Sequence, residues 1–242
     1  MKVLNDLLDY NNMKIYQDDE YFNFSLDSVL LANFVTLKSR VKNVLDMGTG
    51  NAPIPLILTT RTNAKIYGVE LQKEVYDLAK ESVSINKLEN QIELINDDIK
   101  NLRNIFEQGF FDVITCNPPY FKVAKDSNLN ENEIKTNARH ETKITLEEII
   151  GISKKLLDNN GILAIVHRTD RLIEIIELMR KKKKKKKKIR FVYPKEGEES
   201  NLVLIEGRKN GNIGLKILSP LIAHEQNGDY SKEVKDMFTA RR

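Results

Sequence analysis

The chain has 242 residues, 40% of them hydrophobic and 31% charged, with a single cysteine. That length predicts one large domain with at most a small appendage, and the composition excludes collagenous, disulfide-rich and wholly disordered classes. The formal charge is +4, yet one unbroken run, Lys181 to Lys188, supplies eight of the 39 basic residues, and without it the balance reverses to −4. The basic surplus is therefore local and says little about a nucleic-acid or membrane partner. No apolar stretch is longer than a strand, and the start MKVLNDLLDYNNMK has no apolar run behind its charge, so neither a membrane span nor a secretory leader is expected. A lone cysteine, unable to pair within the chain, points with this to a reducing cytoplasm.

In chain order, Met13 to Gln17 and Tyr21 to Phe24 flank a polar turn and predict a hairpin. Ser25 or Asp27 then caps a helix running through VLLANFV. From Val41 onward, short β-branched runs alternate with stretches of helical period, the pattern of a parallel sheet covered by helices. Strands are expected at 41–46, 64–70, 91–96, 110–116, 161–167, 189–193 and 201–206, and helices at 73–88, 146–157 and 170–179. The last two strands are joined by the short polar segment PKEGEES and should pair antiparallel. The fold class is α/β: a Rossmann-like, seven-stranded, mostly parallel sheet with an antiparallel last strand and helices on both faces. The tail beyond Gly207 is broken by turn formers and reads as a small extension.

The most informative segment is VLDMGTGNAPIPL. A strand ends in Asp46, Gly48 and Gly50 follow, and a helix begins; glycines at such a turn let backbone approach a ligand and leave amide donors at a helix start. Glu70 ends the second strand, 24 residues after Asp46, near the offset of about 20 at which an acid meets ribose hydroxyls in dinucleotide folds. The third strand runs into Asn96-Asp97-Asp98-Ile99, where Asp97 or Asp98 can accept from an adenine amine. Three strands each ending in a carboxylate set those groups along one carboxyl edge, where open α/β sheets bind ligands.

This set resembles the class I methyltransferases that use S-adenosylmethionine. The resemblance implies that cofactor, with Asp46, Gly48, Gly50 and Asn51 around its methionine part, Glu70 and Leu71 at the ribose, and Asp98, flanked by Asp97 and Ile99, at the adenine. Asp98 is preferred to Asp97 because the family has a small residue just before its acid, and Asp97 holds that place. Ala52 stands where the family's third glycine would be. The implied domains are an N-terminal hairpin and helix over the cofactor site (1–40), a class I methyltransferase domain (41–207) and a C-terminal extension packed on it (208–242).

At the end of the fourth strand stands Asn117-Pro118-Pro119-Tyr120. Two prolines fix φ, remove two donors and force Asn117 to be extended. An amine on an aromatic ring is a poor nucleophile because its lone pair is delocalised. The Asn117 side-chain oxygen and the Pro118 carbonyl can accept its two protons, aim the lone pair at a methyl group and stabilise the developing positive charge. Tyr120 would stack on the flat acceptor. The motif resembles that of amino-methyltransferases acting on adenine, guanine or protein glutamine.

The short segment ahead of the glycine loop and the absence of room for a target-recognition domain favour an adenine in RNA. FNFSLDSVLLANFV, Ala138 to Glu141 (ARHE), FVYPK, NLVLIEGRKNG and LSPLIAHEQNGDYSKEV resemble the bacterial tRNA adenine methyltransferases, which modify the adenine beside the anticodon. That likeness implies RNA, tRNA foremost, as partner, without a membrane, metal or obligate protein partner, and puts Phe24, Ser25 and Asp27 near the methionine part. Methylation of a protein amide or small amine, and a non-catalytic cofactor- or RNA-binding module, are the alternatives. The stretch from Phe121 to Ile144 has no obvious regular element and reads as a substrate lid. There Phe121 and Lys122 follow Tyr120 at the acceptor, and Lys122, Lys125, Lys135, Arg139 and His140 can meet phosphates. His167 and Cys116 read as structural, and the scattered histidines give no metal-ligand spacing. The lysine run has no apolar period to pack and repels itself, which leaves a phosphate-binding strip as its one functional reading.

Overall fold

The computed structural model describes residues 1–19, 21, 25–118, 144–182 and 184–239, with the side chains of 184–186 excepted. The chain opens with β1 (Lys2–Asp6) and β2 (Lys14–Asp18), which pair antiparallel as a separate two-stranded sheet. The expected strand at 13–17 is β2, and its partner among the described residues is β1; the other expected strand, 21–24, lies outside the described residues apart from Tyr21. Its charges hid β1, since all five of its residues are exposed. Helix α1 (Leu26–Phe34) follows.

Strands β3 (Asn43–Met47), β4 (Lys65–Glu70), β5 (Ile92–Asn96) and β6 (Phe111–Cys116) lie parallel in the order β5-β4-β3-β6. Between them run α2 (Pro53–Thr59), α3 (Lys73–Ile85) and α4 (Leu102–Ile105). Helix α3 stops short of its apolar period because Lys87 turns left-handed at φ 57°, a common helix C-terminal device. Beyond the undescribed residues, α5 (Leu146–Leu156) starts in a capping box: the Thr145 hydroxyl accepts from the Glu148 amide, and the Glu148 carboxylate accepts from that of Thr145.

Strand β7 (Leu157–Arg168) then runs parallel to β6. It is followed by α6 (Leu172–Lys181), β8 (Lys184–Tyr193) and β9 (Leu202–Lys209), and β9 lies antiparallel to both β7 and β8, as expected of the last strand. The tail adds β10 (Gly214–Ile217) and β11 (Leu221–Ile222) beside β8, so that among the described residues the sheet has the seven expected strands and two more, and it ends in α7 (Lys232–Met237). Strand β8 begins inside the lysine run. The run finds a place without an apolar period because pairing with β9 and β10 fixes its backbone, whatever its propensity.

Alternation along the central strands divides the core in two. On β3, Val44 faces one apolar cluster with residues of α1, α2, α3 and α7, while Leu45 faces the other with residues of α4, α5 and α6. Residues Ile162 to Val166 of β7 alternate between the same two clusters and are all buried, the signature of a strand covered on both faces. The sheet's carboxyl edge is thereby left as the place where strand ends meet solvent. No described helix is long and apolar enough to cross a membrane.

Candidate active site

Asp46 lies near the carboxyl end of β3, flanked in register by Gly68 on β4 and Thr115 on β6. Gly68 lets the layers close up there: a Cβ would meet the Leu94 side chain at 2.8 Å and the Thr49 side chain at 3.0 Å, and those side chains would have to shift. Asp46 is 1% exposed, and its Oδ1 accepts from the Thr115 hydroxyl at 2.6 Å. Burial pushes its carboxyl up to about 7, opposed by the Thr115 and Thr49 hydroxyls and aided by the negative Glu70. Its second oxygen, Oδ2, and the hydroxyls of Thr49 and Ser25 are buried without a well-formed hydrogen bond among the described residues, although Thr49 lies close enough to Asp46 to stabilise its charged form. Buried polar atoms without such a bond are rare in native proteins and ask for a ligand.

After β3 the chain takes left-handed conformations at alternate residues: Gly48 at φ 69°, Gly50 at φ 58° and Ala52 at φ 71°. Built Cβ atoms at Gly48 and Gly50 would stand in open space, so steric room is not what demands glycine; the backbone conformation is. Ala52 adopts that conformation although it has a side chain, and helix α2 starts from it.

Glu70 ties this turn to the next strand. Its Oε2 accepts from the Gly50 amide at 3.0 Å and its Oε1 from the Gln72 amide at 2.9 Å. Asn96, at the end of β5, donates to the carbonyls of Glu70 and Leu71. Leu71 is 38% exposed, an apolar face on an otherwise polar edge. Asp97 Oδ1 takes the Asp98 amide and the Asn101 side chain, both at 2.7 Å, whereas Asp98 Oδ1 takes only the Lys100 amide, at 2.9 Å, and starts a short turn over Ile99–Asn101. Asn51, next in this loop, donates from Nδ2 to the Tyr16 carbonyl at 2.7 Å and fastens β2 to the loop.

Asn117 follows β6, and its Nδ2 donates to the Ser28 hydroxyl of α1 at 3.3 Å; Pro118 beside it is buried. Ser25 occupies the cap position of α1 but makes no side-chain cap bond, and Asp27 sits in the first turn, where a negative charge suits the helix dipole. Phe24, Pro119, Tyr120, Phe121, Lys122, Lys125, Lys135, Arg139 and His140 lie outside the described residues. Ser28, Thr49, Thr115 and Asn96 complete the edge and were not singled out from sequence, since isolated polar residues inside apolar runs carry no spacing signal. His167 is 4% exposed and its Nδ1 accepts from the Arg168 amide at 2.8 Å, while burial lowers its pKa to about 4, as suits a neutral structural imidazole. Burial likewise raises the Cys116 thiol well above its ordinary value.

A model of the methyltransferase domain matches residues 38–238 of the chain. The chain belongs to the methyltransferase domain family. This methyltransferase is 25% identical to the tRNA1(Val) (adenine(37)-N6)-methyltransferase of Phocaeicola vulgatus over 83% of either chain. It is 32% identical to the enzyme of the same name from Haemophilus influenzae over 63% of its own length and 65% of that protein. Among solved structures, a predicted O-methyltransferase from Agrobacterium tumefaciens superimposes with a TM-score of 0.69 at 20% identity, covering 89% of this chain and 98% of that one. The methyltransferase uses S-adenosylmethionine, and the edge fits that cofactor: left-handed turns open to a ligand, an acid at each of three strand ends, and a buried carboxylate oxygen that lacks a well-formed hydrogen bond and suits a cationic group.

Proposed function

We propose that the chain transfers a methyl group to the exocyclic amine of an adenine in RNA, with tRNA near the anticodon as the substrate. S-adenosylmethionine supplies a methyl group activated on a sulfonium sulfur. Asp46 Oδ2 meets the ammonium of its methionine part, with Ser25, Asp27 and the turn at Gly48 and Gly50 around it. Glu70 accepts the ribose hydroxyls while holding the Gly50 amide, since each carboxylate oxygen has two acceptor sites. Leu71 and Ile99 flank the adenine and Asp98, less engaged than Asp97, accepts from its amine.

Asn117 Oδ1 and the Pro118 carbonyl accept the two protons of the substrate amine, raise its nucleophilicity and stabilise the cation that forms. The product amine then loses a proton to water, so no strong base is needed. Tyr120 and Phe121 stack on the acceptor base, and Lys122, Arg139 and His140 meet its phosphates. The observation that carries the RNA reading is the Asn-Pro-Pro-Tyr motif after β6, in a chain whose relatives over most of its length are named tRNA adenine methyltransferases. An enzyme acting on tRNA works where tRNA is, in the cytoplasm. Labelled S-adenosylmethionine offered with bulk tRNA, rRNA or protein extract tests it: label in tRNA, released as N6-methyladenosine, is expected, and label in protein alone overturns the choice.

A further inference from the structure

Helix α1 is anchored firmly at its C-terminal end. The Arg61 guanidinium donates to the carbonyls of Ala32 and Val35, and Lys188 Nζ donates to the Phe34 carbonyl at 2.9 Å and to the Thr36 hydroxyl at 2.7 Å. Both cations sit where the helix dipole is negative. Lys188 also pairs with the buried Glu206 at 2.9 Å, and Glu206 accepts from the Thr36 amide at 2.9 Å. One lysine of the run thus holds a helix from inside the fold. Asn33 adds bonds to Tyr10 and to the Met237 carbonyl. The helix is a strut fixed at its C-terminal end, and its first turn delivers Ser28, 4% exposed, to the Asn117 amide.

We propose that Ser28 is a positioning residue that orients the Asn117 side chain for methyl transfer; this rests on the reading of Asn117 as the group that accepts the substrate amine. An Asn amide has an acceptor end and a donor end. Catalysis needs the acceptor end toward the substrate, so the donor end must be occupied elsewhere, and the Ser28 oxygen occupies it. Loss of that oxygen removes an acceptor from the donor end and loosens the hold on the amide's orientation and position. Rotation between two orientations alone costs only a factor of two. A displacement of the order of 1 Å in a reacting group costs far more, up to about 100-fold.

The test uses single-turnover transfer from labelled S-adenosylmethionine to whichever of tRNA, rRNA or protein extract the unaltered enzyme labels, with cofactor affinity measured by calorimetry and folding by thermal melts. Ser28→Ala is expected to lose about tenfold or more in rate with cofactor affinity and melting unchanged, and Ser28→Thr, which keeps the oxygen, to stay within about threefold of the parent. In an Asn117→Ala background Ser28→Ala should cost nothing further, because its partner is already gone. A parental rate for Ser28→Ala, an equal loss in both backgrounds, a matching loss of cofactor affinity, or Ser28→Thr as impaired as Ser28→Ala overturns the proposal. Should Asn117→Ala itself keep the parental rate, the reading of Asn117 fails first and this inference with it; a slow Asn117→Ala beside a fast Ser28→Ala sinks this inference alone.

Discussion

Glu70 and Asn117 stand on either side of β3, at the ends of β4 and β6, and are held by unlike means. Glu70 sits in a closed local web: its oxygens take the amides of Gly50 and Gln72, and Asn96 braces the carbonyls of Glu70 and Leu71. Asn117 is tied across the fold instead: its side chain donates at 3.3 Å to Ser28, on a helix 89 residues earlier in the chain. The cofactor side is therefore rigid before any ligand arrives, because loop and acid constrain each other. The acceptor side depends on how the N-terminal segment docks. Damage on the first side should appear in binding and stability, and damage on the second in turnover.

The largest expected effect breaks the acceptor side alone. Asn117→Ala should lower methyl transfer on the order of 100- to 1,000-fold, the scale for removing one preorganised polar group from a transition state, while calorimetry finds cofactor affinity within a few-fold of the parent. Equal loss of both would make Asn117 a structural prop and dissolve the contrast. On the other side, Glu70→Ala removes a charged acceptor from two backbone amides. Bonds to a charged group are worth about 1.5–3 kcal/mol, so cofactor affinity should fall roughly 10- to 100-fold and the melting temperature should drop with it. A variant that binds poorly yet melts like the parent would show that the web does not brace the loop.

The strand ends and the turn of the first side are legible in the sequence because their logic is local. Asp46, Gly48, Gly50 and Glu70 lie at strand ends whose apolar runs are plain, and a turn that needs φ above zero selects glycine. The antiparallel β9 is equally legible, because a short polar connection leaves few alternatives. The second side is not local. Nothing in LDSVLLANF distinguishes Ser28 from a small buried residue, and its meaning comes only from the docking of α1 near β6. Strand β1 escapes the sequence for a related reason: it pairs with β2, but its residues show no alternation to announce a strand. Lys188 shows the same limit, since a charge run reads as solvated until Phe34, Thr36 and Glu206 are seen to surround its end.

Asp46 offers a pH test of the cofactor side. Its carboxyl titrates at about 7 in the folded protein, against an ordinary 3.8, because burial favours the neutral form. The native state thus holds a proton that the unfolded chain releases, so this group's contribution to stability is complete below pH 3.8 and is lost as pH rises through 7. A bound ammonium reverses the preference by favouring the carboxylate. Cofactor affinity should therefore weaken as pH falls below 7, by roughly tenfold per unit at the limit of one linked proton. A window of about pH 5.7 to 6.7 lies a full unit or more below the α-amino titration near 7.7–8.0 and keeps that group at least about 90% charged. Calorimetry across that window should show the slope in the parent and a flat, weaker response in Asp46→Asn; a slope that survives the substitution would assign it to another group.

The smallest effect concerns the one break in the glycine pattern. Ala52 holds φ 71° and ψ 33° at the start of α2 and is fully buried. A left-handed conformation costs a residue with a Cβ about 1–2 kcal/mol, which argues for glycine. Removing the methyl forfeits about 0.8 kcal/mol of burial, and a glycine adds roughly 0.5–1 kcal/mol of unfolded-chain entropy. The opposing contributions nearly cancel, so Ala52→Gly should change the denaturant-derived stability by no more than about 1 kcal/mol. Ala52→Val should lose roughly 2 kcal/mol or more, because a β-branched side chain suits neither the left-handed backbone nor the filled space. If Ala52→Gly were as damaging as Ala52→Val, packing of the methyl rather than the turn's conformation would decide this position, and the rigidity of the cofactor side would owe more to the core beneath α2 than to the loop above it.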